Sequence, residues 1–344
     1  MNADISLKQG ASALRINMQS INWGVMGCGG IAHQFALAIK KLEKCTILAG
    51  ASNTKGRAKD FTEQYQIPRA YDNYQSLVTD PDIDVIYIAT THNFHFENIK
   101  LCLQHGKHVI CEKPFTVNAQ QTKILIALAT ENNCFMMECV WTRFLPAIEH
   151  LKQLLSENII GEVHTVKANF SICEDFPLEH RLRNKSLAGG ALLDLGIYPL
   201  TLASIVFGEQ PSRIQSSAVM GEDGVDESSC YLLEYQQHQR AILSASFIEE
   251  SPTEGIISGT KGYIRIPDFL GAQELHIKLK DQAIKVSSFP FDADENFTFE
   301  VAHAMQCIRE SKQQSDILPL DTTTAMMAIM DSIRNQWGLK YPGE

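Results

Sequence analysis

The chain has 344 residues, 44% of them hydrophobic and 20% charged, with a formal net charge of −10. This is the composition of a globular protein with enough chain for two cores, and it excludes disordered and fibrous classes. The acidic balance argues against nucleic acid or an anionic membrane surface as partner, and no apolar run reads as long enough to span a bilayer.

Nine cysteines are scattered without a C-x-x-C pair, the pattern of reduced thiols in a cytoplasmic protein. Residues 1–20 lack the continuous apolar core of a secretory signal and are expected to be a peripheral extension. From Ile21 the pattern becomes regular. Trp23–Met26 reads as a short buried strand, and Ile31, Phe35, Ala38, Ile39 and Leu42 then recur at helical spacing. Between them Gly27-Cys28-Gly29-Gly30-Ile31-Ala32 is a G-x-G-x-x-A turn. Gly27 permits the tight bend, Gly29 lets backbone approach a pyrophosphate, and Ala32 keeps helix and sheet close. The exposed N–H groups and dipole at the helix start favour a phosphate.

Cys45–Ser52 is a second strand. A fold that prefers NAD commonly ends this strand in a carboxylate for the ribose 2′-hydroxyl. Here the chain continues Ser52-Asn53-Thr54-Lys55-Gly56-Arg57. Ser52 and Asn53 can hydrogen-bond, while Lys55 and Arg57 can meet a 2′-phosphate. The expectation is therefore NADP, with NAD second. A helix over Arg57–Tyr65, a strand over Ile67–Tyr71 and a helix capped by Asp72 follow.

Asp84–Thr90 is a near-continuous apolar run, as expected for a strand covered on both faces. Thr90, Thr91, His92 and His95 lie at its carboxyl end, where an open parallel sheet presents groups to its ligand. They are expected to touch the cofactor. His92 and His95, with Glu97 nearby, also suggest a metal, but three or four convergent ligands are needed and no other ligand spacing is recognisable, so none is expected. His108–Cys111 is the next strand. It ends in Glu112-Lys113-Pro114, where Pro114 holds Lys113 extended at the ligand crevice. Asn118 and Gln121 resemble a capping arrangement for a helix over Ala119–Thr130. Cys134–Glu138 completes a doubly wound parallel sheet over residues 21–145.

From about Pro146 to residue 344 short strands dominate, and their hairpin signals imply an open, mostly antiparallel sheet. Ala241–Ile248 carries apolar residues on both faces. One face should cover helices and the other a second copy of the chain, hence an expected homodimer. The interruption Ala188-Gly189-Gly190-Ala191-Leu192-Leu193-Asp194-Leu195-Gly196-Ile197-Tyr198 puts Asp194 and Tyr198 four apart, on one helix face. A tyrosine near a lysine amine is a workable acid–base pair, the ammonium favouring the phenolate. The competing reading is a core tyrosine bonded to Asp194. Two amphipathic helices, around Phe297–Ile308 and from Asp321 to Gly338, close the chain.

The motifs G-C-G-G-I-A at 27–32, E-K-P at 112–114 and A-G-G-A-L-L-D-L-G-I-Y at 188–198 resemble the glucose-fructose oxidoreductase/inositol dehydrogenase/rhizopine catabolism (Gfo/Idh/MocA) family of NAD(P)-dependent oxidoreductases. The runs at 111–118 and 137–144 look closest to the branch holding dimeric dihydrodiol dehydrogenase and NADP-dependent D-xylose dehydrogenase. The resemblance implies a Rossmann domain followed by an α/β domain with an open sheet. It also implies Lys113, Asp194 and Tyr198 as active-site residues acting on a sugar or cyclic diol. Many members carry His at the position of Tyr198, which lowers the case for an inositol. Trp141, Phe176 and Arg181 are candidate pocket residues, and Arg143 a candidate cofactor contact. A second class, a non-catalytic NADP-sensing regulator of the same fold, would have no reason to need the Lys113, Asp194 and Tyr198 set.

Overall fold

The computed structural model describes residues 20–292 and 295–344; the extension expected over residues 1–20 falls, but for Ser20, outside the described residues. The chain builds two sheets. In the first, strands β1 (Ile21–Met26), β2 (Cys45–Ala51), β3 (Arg69–Tyr71), β4 (Val85–Ile88), β5 (His108–Glu112) and β6 (Met136–Cys139) lie in the order β3-β2-β1-β4-β5-β6. All are parallel. The order reverses between β1 and β4, and open parallel sheets bind ligands at that crevice.

Helices α1 (Gly30–Lys40), α2 (Arg57–Tyr65), α3 (Tyr74–Val78), α4 (His92–Gln104) and α5 (Ala119–Glu131) cross between these strands. β4 is buried along its whole length because helices cover both faces; Tyr87 stacks on Phe35 of α1 at 3.9 Å between ring centroids. Asn118 accepts the Gln121 N–H, the cap read from the sequence, while Gln121 accepts the N–H of Val117, one residue before the cap. The cap of α3 is one residue later than expected. Asn73, not Asp72, accepts the Ser76 N–H, because it occupies the extended position three residues before that donor.

The second sheet has eight strands: β7 (Val163–Ser171), β8 (Arg213–Met220), β9 (Asp226–Glu234), β10 (Arg240–Ser246), β11 (Glu254–Gly259), β12 (Gly262–Pro267), β13 (Glu274–Leu279) and β14 (Lys285–Ser288). Its order is β14-β13-β12-β11-β7-β10-β9-β8, antiparallel except where β7 and β10 run parallel. One face packs on α6 (Pro146–Ser156), α7 (Ile197–Phe207) and α9 (Leu320–Trp337), in one cluster with Leu151, Leu202, Leu243 and Met330. The other face is open. Leu232, Ile242, Lys167, Ile256, Arg265, His276 and Val286 form one cross-strand row on it, with Ile242 and Val286 half exposed.

One helix from the second half of the chain packs against the first sheet. Helix α8 (Asn296–Arg309) returns to the first sheet, where Phe297, Val301 and Met305 join the core of Phe35 and Tyr87. Against the expectation that no apolar run is long enough to span a bilayer, Lys185–Phe207 is, by length and composition, apolar enough to cross a membrane. Most of its residues are buried against the second sheet, so that hydrophobicity is accounted for by the core.

Candidate active site

The glycine turn joins β1 to α1, and the Gly27 N–H donates to Ala51 O of β2. Gly27 has φ +93°, and a Cβ there would meet Ala89 O at 2.9 Å, so both conformation and space demand glycine. A Cβ on Gly29 or Gly30 would meet nothing within 4 Å. Their backbone fronts onto open space at a helix start with no acidic side chain in its first turn, which fits a pyrophosphate held by N–H groups. The residues present therefore fit a dinucleotide.

Two cavities open along this turn. The outer one, about 420 Å³, is lined by Gly27, Cys28, Ser52, Asn53, Arg57 and Thr90, together with Tyr74, Phe94 and Asn98. The Ser52 hydroxyl accepts the Thr54 N–H, fixing the loop after β2. Arg57 and Asn53 reach this cavity; Lys55 is exposed outside its lining. The Cys28 thiol sits beneath the turn, its pKa pushed up to about 12 by burial, so it packs as a neutral group.

The inner cavity, about 480 Å³, lies where the two sheets meet. It is lined from the first sheet by Gly29, Gly30, Ile31, Thr91, His92, Glu112 and Lys113, and from the second by Asp194 and Tyr198. Residues far apart in sequence converge for local reasons. β5 ends at Glu112, and the cis Lys113–Pro114 bond turns the chain at the crevice. Across from it, Gly190 (φ +118°) starts a π-helical turn, Leu192–Gly196, that runs into α7. Asp226 fastens this turn by accepting the Leu192 N–H at 2.7 Å. Four residues keep one face in either winding, so Asp194 and Tyr198 both face the cavity.

Asp194 is the hub. The Lys113 Nζ donates to its backbone oxygen at 2.6 Å and to Oδ1 at 3.1 Å. Arg181 grips both carboxylate oxygens at 2.9 and 3.1 Å, and His92 Nε2 lies 3.4 Å from Oδ1. Burial alone pushes this carboxyl up. Lys113, His92 and Arg181 together override burial and hold it well below the usual carboxylate range. Glu112 goes the other way: burial pushes it up to about 7, opposed by the 2.6 Å hydrogen bond from the Tyr87 hydroxyl and by Lys113.

Tyr198 departs from the sequence expectation. Its phenol is pushed well above its ordinary pKa of about 10 by burial, then by the carboxylates of Glu112, Asp194 and Glu300. The Lys113 ammonium is committed to Asp194 and lies 5.1 Å from the centroid of the tyrosine ring. Among the described residues the Tyr198 hydroxyl forms no hydrogen bond to Asp194 or Lys113, which leaves it free toward the cavity. Of the core-tyrosine reading the structure holds the burial, with Tyr198 2% exposed in the core against the second sheet, but not the bond to Asp194.

Other candidates separate. Trp141 lines the cavity, its indole donating to Leu270 O at 2.8 Å and its ring 5.6 Å from that of Tyr198. Arg181 lines it as well. Arg143 does not. It sits with Trp141 in one 3₁₀ turn, where side chains two apart diverge, and its guanidinium is buried against Ser204 and Glu209. His95 is also withdrawn from the lining: its ring nitrogens lie 2.9 and 3.0 Å from Pro114 O and Thr90 O. Burial pushes it down to about 4, so the ring is neutral and its single N–H donates to one of these two carbonyls. Phe176 stacks on His180 at 4.2 Å outside the cavity, and Phe170 takes the place beside Tyr198. The sequence reading missed Phe170, Leu195 and Leu270; all are apolar residues inside core-like runs, with no signal to separate wall from core.

A glycine turn, a strand-end lysine and a buried tyrosine around one cavity define a pyridine-nucleotide oxidoreductase. Residues 21–139 match the model of the oxidoreductase family with an NAD-binding Rossmann fold, and residues 148–265 match the GFO/IDH/MocA C-terminal domain. The chain belongs to the Gfo/Idh/MocA family. It is 35% identical to the trans-1,2-dihydrobenzene-1,2-diol dehydrogenase of Xenopus tropicalis over 93% of this chain and 99% of that protein. Among solved structures, KijD10, a 3-ketoreductase from Actinomadura kijaniata in complex with NADP and TDP-benzene, matches with TM-score 0.84 and 25% identity, over 92% of this chain and 98% of that one. A levoglucosan dehydrogenase in complex with NADH has the same fold, with TM-score 0.85 and 19% identity over 93% and 97%.

Proposed function

We propose that the protein is an NADP-dependent oxidoreductase interconverting a carbinol and a carbonyl on a sugar or cyclic trans-diol. The observation that carries this reading is one cavity in which the glycine turn, Lys113, Asp194 and Tyr198 meet. The diol class is suggested by the dihydrodiol dehydrogenase relatives. The preference for NADP rests on Arg57 in the outer cavity and on the absence of a carboxylate from Ser52 to Arg57.

Bound nicotinamide would supply the hydride acceptor or donor. Tyr198 handles the substrate oxygen. Carrying its proton at neutral pH, it is set to donate to a developing alkoxide in reduction; in oxidation it accepts the hydroxyl proton only as the phenolate, after its own proton has been lost to solvent. Lys113 and Arg181 hold Asp194 ionised, and Asp194 in turn fixes the ammonium beside the tyrosine ring. Trp141, Phe170 and Leu270 give the cavity an apolar wall that excludes water from the reacting carbon. Because the phenol is raised, the oxidation rate should keep rising as pH approaches and passes about 10; a plateau at neutral pH would assign the base elsewhere.

The deciding experiment is a panel of aldoses and trans-dihydrodiols run with NADP+ and NAD+. Turnover of one class with NADP+ preferred is the expected result. Tight NADP binding with no turnover of any polyol would point to the nucleotide-sensing regulator instead. The reading includes a homodimer through the open face of the second sheet, where Ile242, Val219 and Val286 are exposed. Sedimentation should give a dimer that Ile242→Glu weakens; a wild-type monomer would refute it. It also includes a reducing, cytoplasmic setting, supported by cysteines that all stand as free thiols.

A further inference from the structure

Far from the cavity, α8 and the segment after it bring three different metal-ligating side chains together. His303 and Cys307 are four residues apart on α8 and so share a face; Asp316 comes from the following connection. Cys307 Sγ lies 3.4 Å and Asp316 Oδ1 3.3 Å from the same atom, His303 Nε2. All three donor atoms lie within 4.8 Å of one another, and this is the one such set among the described residues.

We propose that His303, Cys307 and Asp316 form a structural site for one borderline divalent cation of the Zn2+ class, with water as fourth ligand. Ligand lengths of about 2.0–2.1 Å for nitrogen, 2.3 Å for sulfur and 2.0–2.2 Å for oxygen, at tetrahedral angles, require N–O and N–S edges of roughly 3.3–3.5 and 3.6 Å. The two distances at Nε2 are within about 0.2 Å of those edges.

The surrounding groups orient the donors. Ser315 Oγ accepts the Ile317 and Leu318 N–H groups, each at 3.0 Å, which occupies its lone pairs. Its proton is therefore the one directed at the His303 Nε2 lone pair, 2.8 Å away, so Nε2 is the unprotonated nitrogen, and an arriving ion takes this lone pair by displacing the Ser315 hydrogen bond. That lone pair and the Asp316 carboxylate oxygen are both electron-rich. At 3.3 Å apart they gain from a cation between them. Lys312 pairs with the other oxygen, Asp316 Oδ2, at 3.2 Å and with Glu310 at 2.8 Å, turning Oδ1 inward. With the Cys307 thiolate formed, Cys307, Asp316, Glu310 and Lys312 sum to two negative charges, the complement of a divalent ion. Binding releases the thiol proton to solvent as the sulfur–metal bond forms. Asp316 is exposed and gives the ion an entry path, while His303 and Cys307 are shielded. The ion would tie the connection over residues 310–319 to α8.

The test uses the full chain carrying Cys173→Ser and Cys230→Ser, which removes the exposed thiols. Titration with Co2+ should give one equivalent with a thiolate-to-metal charge-transfer band and tetrahedral d–d intensity, displaced by Zn2+, and Zn2+ should raise the thermal midpoint. Cys307→Ser should abolish the band. Asp316→Asn, at an exposed position that leaves folding intact, should weaken Zn2+ binding by about tenfold or more. Absence of the band in the parent, its survival in Cys307→Ser, or undiminished Zn2+ affinity in Asp316→Asn would each overturn the site. If Cys307→Ser fails to fold, His303→Gln and Asp316→Asn decide the matter by the same band.

Discussion

The two cavities along the glycine turn are built on opposite plans. In the inner one the polar groups already hold each other: Lys113, Arg181 and His92 converge on Asp194, and Tyr87 holds Glu112. In the outer one Arg57 forms no ion pair among the described residues, and Asn53 is exposed. The inner groups are fixed before any ligand arrives, which is what acid–base chemistry requires. The outer groups keep unspent donors, which is what capture of a phosphate requires. On the proposed function, catalysis and cofactor selection would thus be separated by the degree of prior satisfaction.

The sharpest test removes one atom from the inner cavity. Tyr198→Phe should lower kcat by about 10²–10⁴-fold, the usual worth of a positioned acid–base group, while NADP affinity measured by fluorescence titration stays unchanged. Lys113→Met should lower kcat comparably and free Asp194 from one partner. An unimpaired Tyr198→Phe enzyme would mean that the cavity organises something other than proton transfer.

The outer cavity should respond in affinity, not rate. Losing one charged hydrogen bond costs about 1.5–3 kcal/mol, so Arg57→Gln should weaken NADP binding by roughly 10–100-fold and leave NAD binding nearly as it was. Equal loss for both nucleotides would show that Arg57 supports the loop and does not read the 2′-phosphate.

The same contrast explains what could be read from the sequence. The strand–turn–helix at 21–42 was legible because glycines mark a backbone requirement and the apolar period marks the covering helix. Lys113, Asp194 and Tyr198 stand out through their motifs, and the structure brings all three to one cavity. Their electrostatics were not legible: whether an ammonium faces a phenol or a carboxylate depends on the packing of two sheets, and here Asp194 captured it. Arg143 and His95 were misplaced because residue type and position along the chain do not reveal on which side of a turn a side chain falls. The parallel β7–β10 pair and the return of α8 to the first sheet are long-range pairings that local pattern does not encode. Glu300 lay hidden in the apolar stripe of α8, between Phe297 and Val301, where a carboxylate resembles a solvated face.

Glu300 provides the smallest effect and a test of where pH sensitivity resides. It is fully buried, and neither of its carboxyl oxygens has a partner among the described residues. Burial, then the charges of Glu112 and Glu138, pushes its pKa well above the ordinary carboxylate value. The folded chain therefore binds this proton more tightly than the unfolded chain. Stability falls as pH rises through the ordinary carboxylate range toward the folded value, since the unfolded state gains by ionising first. Glutamine cannot ionise. The thermal midpoint of Glu300→Gln relative to wild type should therefore increase from about pH 5 to about pH 8, whatever the offset at the acid end. Glu112 and Glu138, each pushed up to about 7, are present in both proteins; because their charges act on Glu300, the difference reports Glu300 together with its coupling to them. The outer cavity is lined by no carboxylate, so Arg57→Gln should leave this difference flat. A Glu300→Gln curve parallel to wild type would mean that the carboxyl finds a partner that keeps its pKa ordinary, and the contrast between the two cavities would then lose its electrostatic side.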